Sequence, residues 1–88
     1  MTYRLIFTET AQKQLKKIDK YQERIIVGWL QKNISCAENP KAHGKGLTGN
    51  LAGYWRYRIG DYRIVCKIHD AVCEVIVIQV GHRSKIYS

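Results

Sequence analysis

Residues 53–66, Gly-Tyr-Trp-Arg-Tyr-Arg-Ile-Gly-Asp-Tyr-Arg-Ile-Val-Cys, constrain the fold more than any other stretch. Side-chain character alternates on both sides of Gly60-Asp61, which predicts two β-strands joined by a two-residue turn. Glycine at the first turn position accepts the positive φ that a type II′ hairpin needs there. That turn sets Ile59 opposite Tyr62, Arg58 opposite Arg63 and Arg56 opposite Val65. Directly opposed residues share a sheet face. Trp55, Tyr57, Ile59, Tyr62, Ile64 and Cys66 therefore form one mostly apolar face, and Arg56, Arg58 and Arg63 gather on the other. Like charges directly across a hairpin repel. Either water separates these arginines on a solvated face, or an anion seated between them offsets the cost.

Eighty-eight residues suffice for one small domain, 1–88, whose thin core gives few positions to function. Hydrophobic residues make up 45% of the chain, which argues against disorder. The formal net charge of +8 favours a polyanionic partner: nucleic acid first, an acidic protein second, an anionic membrane third. No apolar run approaches the length of a membrane span, and no signal or lipidation motif is seen. The expected location is the cytoplasm, with no membrane partner. Cys36, Cys66 and Cys73 are odd in number, form no C-x-x-C, and have no histidine at a spacing that suits zinc. They read as reduced thiols, with no metal site and no catalytic part.

In chain order, Tyr3 to Phe7 reads as a short strand. Thr8 is an N-cap, Glu9 follows where the helix dipole favours an anion, and a helix runs to about Ile18 with Ala11, Leu15 and Ile18 as its stripe. Asp19 caps a second helix, about Lys20 to Ile34, with Gln22 at the capping-box position. Ile26, Leu30 and Ile34 repeat every four residues there, with Trp29 beside them. The two helices form an αα-hairpin. Asn39-Pro40 stops the second helix, and no regular pattern spans 35–52. Lys41, His43 and Lys45 lie in that long stretch, which reads either as a solvated loop or as a phosphate-tracking arm beside the arginine face. Gly44-Lys45-Gly46 lacks the third glycine, the preceding strand and the following helix of a nucleotide-binding fingerprint.

After the hairpin, His69-Asp70-Ala71 marks a turn. Val72 to Val80 is apolar on both parities and predicts a central strand covered on both faces. A two-residue turn at Asp70-Ala71 sets Lys67 opposite Glu74 and a three-residue turn does not, so this register stays open. The last strand runs antiparallel to its neighbour and ends at the Gly60-Asp61 end. That is expected to bring His82, Arg83, Lys85 and Tyr87 toward the arginine face.

The chain has no Ser-His or Cys-His pair with a third group to orient it, and no carboxylate pair. Nucleophilic hydrolysis, glycoside hydrolysis and two-metal nuclease chemistry fit poorly. Arginine forks do hold phosphate, and preformed cations stabilise the charge of a phosphoryl transition state. RNA brings its own nucleophile, the 2′-OH. Metal-free cleavage then needs a base, cations, and an acid for the leaving 5′-oxygen. His82 and Tyr87 are candidates for base and acid, with Arg58, Arg63 and Arg83 for the charge. Tyr54 can stack on a base if it lies on the arginine face.

Gly49 through Arg63, followed by Val80-Gly81-His82-Arg83 and a late Tyr87, resembles the RelE/ParE toxin superfamily, and within it the RelE branch. The resemblance covers essentially the whole chain. It implies an α+β fold of the RelE-like, microbial-ribonuclease type, with an N-terminal strand and two-helix hairpin packed on an antiparallel sheet in the order β-α-α-β-β-β. It implies the toxin of a type II toxin–antitoxin pair, a ribosome-dependent endonuclease. Such a toxin enters the A site of the small ribosomal subunit, meets mRNA and rRNA there, and cleaves the message without metal or cofactor. The family's basic positions map to Arg56, Arg58, Arg63 and Arg83, and its tail tyrosine to Tyr87. Some relatives use a late histidine, for which His82 stands here. Lys41, His43, Lys45, Tyr54 and Lys85 are the candidate RNA contacts. The implied partner is a small acidic or amphipathic RelB-like antitoxin in a hetero-oligomer. The best-known member differs in having lysines where Arg56 and Arg58 stand, a longer hairpin turn, a longer spacing to the tyrosine, and a further helix. Two alternatives are a ParE-like, non-enzymatic inhibitor of DNA gyrase, whose branch shares the fold and lacks the cluster, and a non-catalytic RNA- or partner-binding module.

Overall fold

The computed structural model describes residues 3–35 and 39–82. Strand β1 (Arg4–Phe7) leads into helices α1 (Glu9–Lys17) and α2 (Lys20–Leu30), and α2 closes in one wider π-type turn over Gln31–Ser35. Both helices start where side chains satisfy their free N–H groups. The Thr8 hydroxyl accepts from Ala11 N at 3.1 Å, and the Asp19 carboxylate accepts from Gln22 N at 3.3 Å. Each helix buries its stripe, Ala11 and Leu15 from α1, Ile26 and Leu30 from α2, with Ile34 from the closing turn.

The strands β2 (Lys45–Gly46), β3 (Trp55–Ile59), β4 (Tyr62–His69) and β5 (Glu74–His82) join β1 in one sheet of order β1-β5-β4-β3-β2. Pairing is antiparallel from β2 to β5, and β1 adds to β5 in parallel. The α+β layering is as expected, with a mixed sheet in place of a wholly antiparallel one. The β3–β4 register is the one its alternation predicts, Arg58 opposite Arg63 and Ile59 opposite Tyr62. Gly60 holds φ 59° while Asp61 stays at negative φ, the sign pattern of a type II′ turn. Tyr57, Ile59, Ile64 and Cys66 on the inner face are buried against both helices together with Val75, Val77 and Val80. Burial pushes the Cys66 thiol well above its usual range, which keeps it inert.

Three expectations need correction. The segment after Asn39 is organised, not an irregular loop. Asn39 caps a 3-10 turn over Pro40–His43, β2 pairs with β3, and a second 3-10 turn spans Gly49–Leu51. Pro40 is fully buried, and its carbonyl accepts a hydrogen bond from the hydroxyl of the fully buried Tyr57.

The turn before β5 has four residues, Asp70–Cys73, with Cys73 in the left-handed region at φ 52°. His69 therefore faces Glu74 and Lys67 faces Ile76, which is neither register weighed from the sequence. Glu74 instead pairs with Arg4 on β1.

Strand β5 is interior to the sheet but covered mainly on one face. Val65 pairs with Gln79 and Cys66 with Val77, so Ile78 is an extra residue, a β-bulge. The buried positions change parity across it, from Val75 and Val77 to Val80. That change of phase makes the strand apolar on both parities. Helix α1 satisfies the backbone the bulge disturbs. The Thr8 hydroxyl donates to Ile78 O at 3.3 Å, and Val80 N donates to the Gln14 side-chain oxygen at 2.6 Å. No described helix is long and apolar enough to cross a membrane.

Candidate functional site

The outer face of the sheet carries the arginines. Arg56 and Arg58 project from β3, Arg63 lies across from Arg58 on β4, and β2 sets Lys45 beside Arg56. The 3-10 turn that follows Asn39 adds Ala42, His43 and Gly44. Together Ala42, His43, Gly44, Lys45, Arg56 and Arg58 line a cleft of about 360 Å3. No carboxylate lines it among the described residues. At the hairpin tip, Arg58, Gly60, Asp61 and Arg63 enclose a crevice of about 40 Å3. Arg58, Lys45 and His43 are exposed, whereas Arg56 and Arg63 are half-buried. Among the described residues, Arg56, Arg58 and Lys45 form no ion pair. An anion entering the cleft therefore meets cations with which no described carboxylate competes, and guanidinium forks suit phosphate oxygens.

The wall of the cleft is held from behind. A β-carbon on Gly44 would lie 2.5 Å from Arg56 O and 2.5 Å from Trp55 Nε1, and one on Gly46 would lie 3.1 Å from the Trp55 ring. At Gly44 only glycine fits this close to the Arg56 backbone, and Gly46 packs tightly on the Trp55 ring, so the two glycines serve packing. Trp29 on α2 meets Tyr57 at 5.6 Å and presents its ring edge-on to His43 at 5.9 Å and 81°. Burial, and then Cys66, push the Tyr57 phenol far above its usual range, so it serves as a neutral donor to Pro40.

Other expected site residues lie elsewhere. Lys41 turns from the cleft toward Asp70, with Nζ 3.1 Å from Oδ2 and 6.0 Å from the centre of the Trp55 ring. Asp70 also accepts from the Tyr3 hydroxyl at 2.8 Å. Those hydrogen bonds, Tyr3's first and then Lys41's, lower the Asp70 carboxyl, and the Tyr3 phenol is raised in turn. Tyr54 lines a separate groove of about 230 Å3 with Lys41, Gly46, Leu47, Trp55 and Ile68.

His82 was expected toward the arginine face. Its register partner is Tyr62, whose row faces the helices, while Gly81 is the residue level with Arg63. His82 packs edge-on against the Tyr62 ring at 5.7 Å instead. The bulge at Ile78 is the cause, because one extra residue reverses the face of every side chain after it. Arg83, Lys85 and Tyr87 lie outside the described residues. The residues that sequence reasoning did not assign to the site are the supporting ones, Gly44, Gly46, Trp29 and Tyr57. The signal of the two glycines is a pair eleven and nine residues upstream of Trp55, at the start of an aromatic-rich strand, which has no meaning until the two are paired in space.

The sequence model of the family described as the ParE toxin of type II toxin–antitoxin systems matches residues 5–87. The chain is 33% identical over 87 residues to Toxin RelG of Mycobacterium tuberculosis, covering 99% of this chain and 98% of that one. Its fold is similar to a chain in the crystal structure of the toxin–antitoxin complex RelBE2 from Mycobacterium tuberculosis. The TM-score there is 0.87 at 31% identity, over 94% of this chain and 100% of the other. It is also similar to a double arginine-to-alanine mutant of E. coli toxin RelE in the free state, with a TM-score of 0.78 at 25% identity, over 98% and 88% of the two chains.

Proposed function

We propose that this chain, which belongs to the RelE/ParE superfamily of toxins of type II toxin–antitoxin systems, is an endoribonuclease that cleaves mRNA in the ribosomal A site and so arrests translation. The observation that carries this reading is the cleft whose described lining holds Lys45, Arg56 and Arg58 and no carboxylate, next to the Arg58–Arg63 pair. In the reaction, the 2′-oxygen attacks the adjacent phosphorus and the bond from phosphorus to the 5′-oxygen breaks. Negative charge collects on the non-bridging oxygens, where Arg56, Arg58 and Arg63 can each donate N–H groups. Arg83 and Tyr87 join them if the tail follows the family pattern, and Lys85 adds an RNA contact. His82, on the other face, stands apart from this group.

The relative from Mycobacterium tuberculosis was solved as a toxin–antitoxin complex. An antitoxin with an acidic or amphipathic segment would cover the same cations and exclude the message, in the cytoplasm where translation occurs. Primer extension on a translated message after induction tests the reading. Wild type should cut within A-site codons, and Arg63→Ala should not cut while staying folded by circular dichroism. An intact message with wild type, or cutting by Arg63→Ala at the wild-type rate, refutes it.

The matching family model carries the ParE description, which favours one second reading, inhibition of DNA gyrase without catalysis. A supercoiling assay with purified protein separates the two.

A further inference from the structure

We propose that His43 is a catalytic acid–base residue of the arginine cleft; this rests on the ribonuclease reading above. The cleft holds cations in plenty, but phosphoryl transfer to a 2′-oxygen also needs a group that accepts the 2′-OH proton. Among the described residues lining the cleft, His43 alone carries an imidazole, the side chain that most often serves as a general base. The other described histidines lie elsewhere. His69 is at the far end of β4, and His82 is on the helix-facing side against Tyr62.

Three features hold His43 for this role. Its 3-10 turn is capped at one end by Asn39 and fixed by the buried Pro40, whose carbonyl the Tyr57 hydroxyl binds. Trp29 contacts the imidazole edge-on and sets its position, while the side chain stays exposed to the cleft. The next residue, Gly44, packs on Trp55 and Arg56 and ties the turn to the strand that carries the arginines. Among the described residues, the charged groups that line the cleft with His43 are Lys45 on β2 and Arg56 and Arg58 on β3, while Lys41 on its own turn is drawn to Asp70; α2 presents the Trp29 ring.

The step balances as follows. Neutral His43 takes the 2′-OH proton as the 2′-oxygen bonds to phosphorus. The bond from phosphorus to the 5′-oxygen breaks, and that oxygen takes a proton from water. His43 returns its proton to the hydroxide so formed. The products are a 2′,3′-cyclic phosphate and a 5′-hydroxyl, with no change of oxidation state.

Single-turnover cleavage of ribosome-bound mRNA by wild type, His43→Gln and His43→Ala, from mildly acidic to mildly alkaline pH, tests this. Wild type should lose rate at acid pH; His43→Gln should lose about 10²-fold or more in rate and should not show that fall. Free imidazole should restore part of the His43→Ala rate, which a residue that only shapes the turn would not allow. Thermal melts should match wild type, because the side chain is exposed. Cleavage by His43→Gln within about twofold of wild type overturns the proposal. So does a loss of rate with an unchanged pH profile and no imidazole response. If wild type itself fails to cut, the ribonuclease reading falls and this inference with it; if wild type cuts and the variants behave as just described, only His43 is refuted.

Discussion

At the Asp70 end of the sheet, cations meet acids. Lys41 reaches Asp70 at 3.1 Å, Arg4 pairs with Glu74, and the Tyr3 hydroxyl shares the same aspartate. Along β3 toward the Gly60-Asp61 end, Arg56, Arg58 and Lys45 have no ion-pair partner among the described residues. The chain has fifteen Lys and Arg against seven Asp and Glu, so where it places its acids decides which cations are pinned and which face solvent. The paired end also supports the open one. Lys41 belongs to the turn that carries His43, and Asp70 anchors that turn to the β4–β5 connection.

The sharpest test of this contrast is Arg58→Ala. Cleavage should fall by about 10²–10³-fold, as for removal of one preformed donor to a transition-state charge. Stability should hold or rise by about 0.5 kcal/mol, because a like-charge pair across the hairpin disappears. Single-turnover cleavage and urea unfolding measure the two separately, and a large loss of stability would mean the arginines hold the hairpin together. Next is Gly44→Ala, which forces a methyl into Arg56 O and Trp55 Nε1. The expected cost is about 1–3 kcal/mol in urea unfolding, with cleavage reduced because the His43–Lys45 wall shifts. Tyr57→Phe leaves the buried Pro40 carbonyl without its donor and should cost about 1–2 kcal/mol in the same assay.

The smallest effect belongs to the paired end. The folded Asp70 carboxyl is held below its ordinary 3.8, so its contribution to stability is complete above that value and is lost as pH falls through the lowered one. Asp70→Asn should flatten the acid limb of stability against pH, and should change cleavage less than any substitution above. A large loss of cleavage there would mean the two ends are coupled more tightly than the contacts show.

The hairpin was legible because its information is local. Alternation names the faces, and Gly60-Asp61 fixes the register, so Arg58 opposite Arg63 follows from adjacent residues. The helix caps at Thr8 and Asp19 were legible for the same reason. The cleft wall was not. Gly44 and Gly46 have meaning only through Trp55 and Arg56, which reach them by strand pairing and not by sequence proximity. Lys41 looked like a phosphate contact because its partner, Asp70, lies 29 residues away. The side taken by His82 was hidden in β5, where apolar residues on both parities conceal a bulge from any rule of alternation.

Ile78 has a consequence at the level of single-codon change. Deleting that codon would remove the bulge and leave Val80 opposite Ile64 and Gly81 opposite Arg63, because the ladder already skips Ile78. The sheet would keep its faces, and β5 would alternate regularly to His82. The Thr8 hydroxyl, which binds Ile78 O, would lose that acceptor in the same event. Gain or loss of this one residue in β5 is therefore tied to the residue that caps α1. In this fold such an indel would be expected to travel with substitutions at the opposite end of the gene.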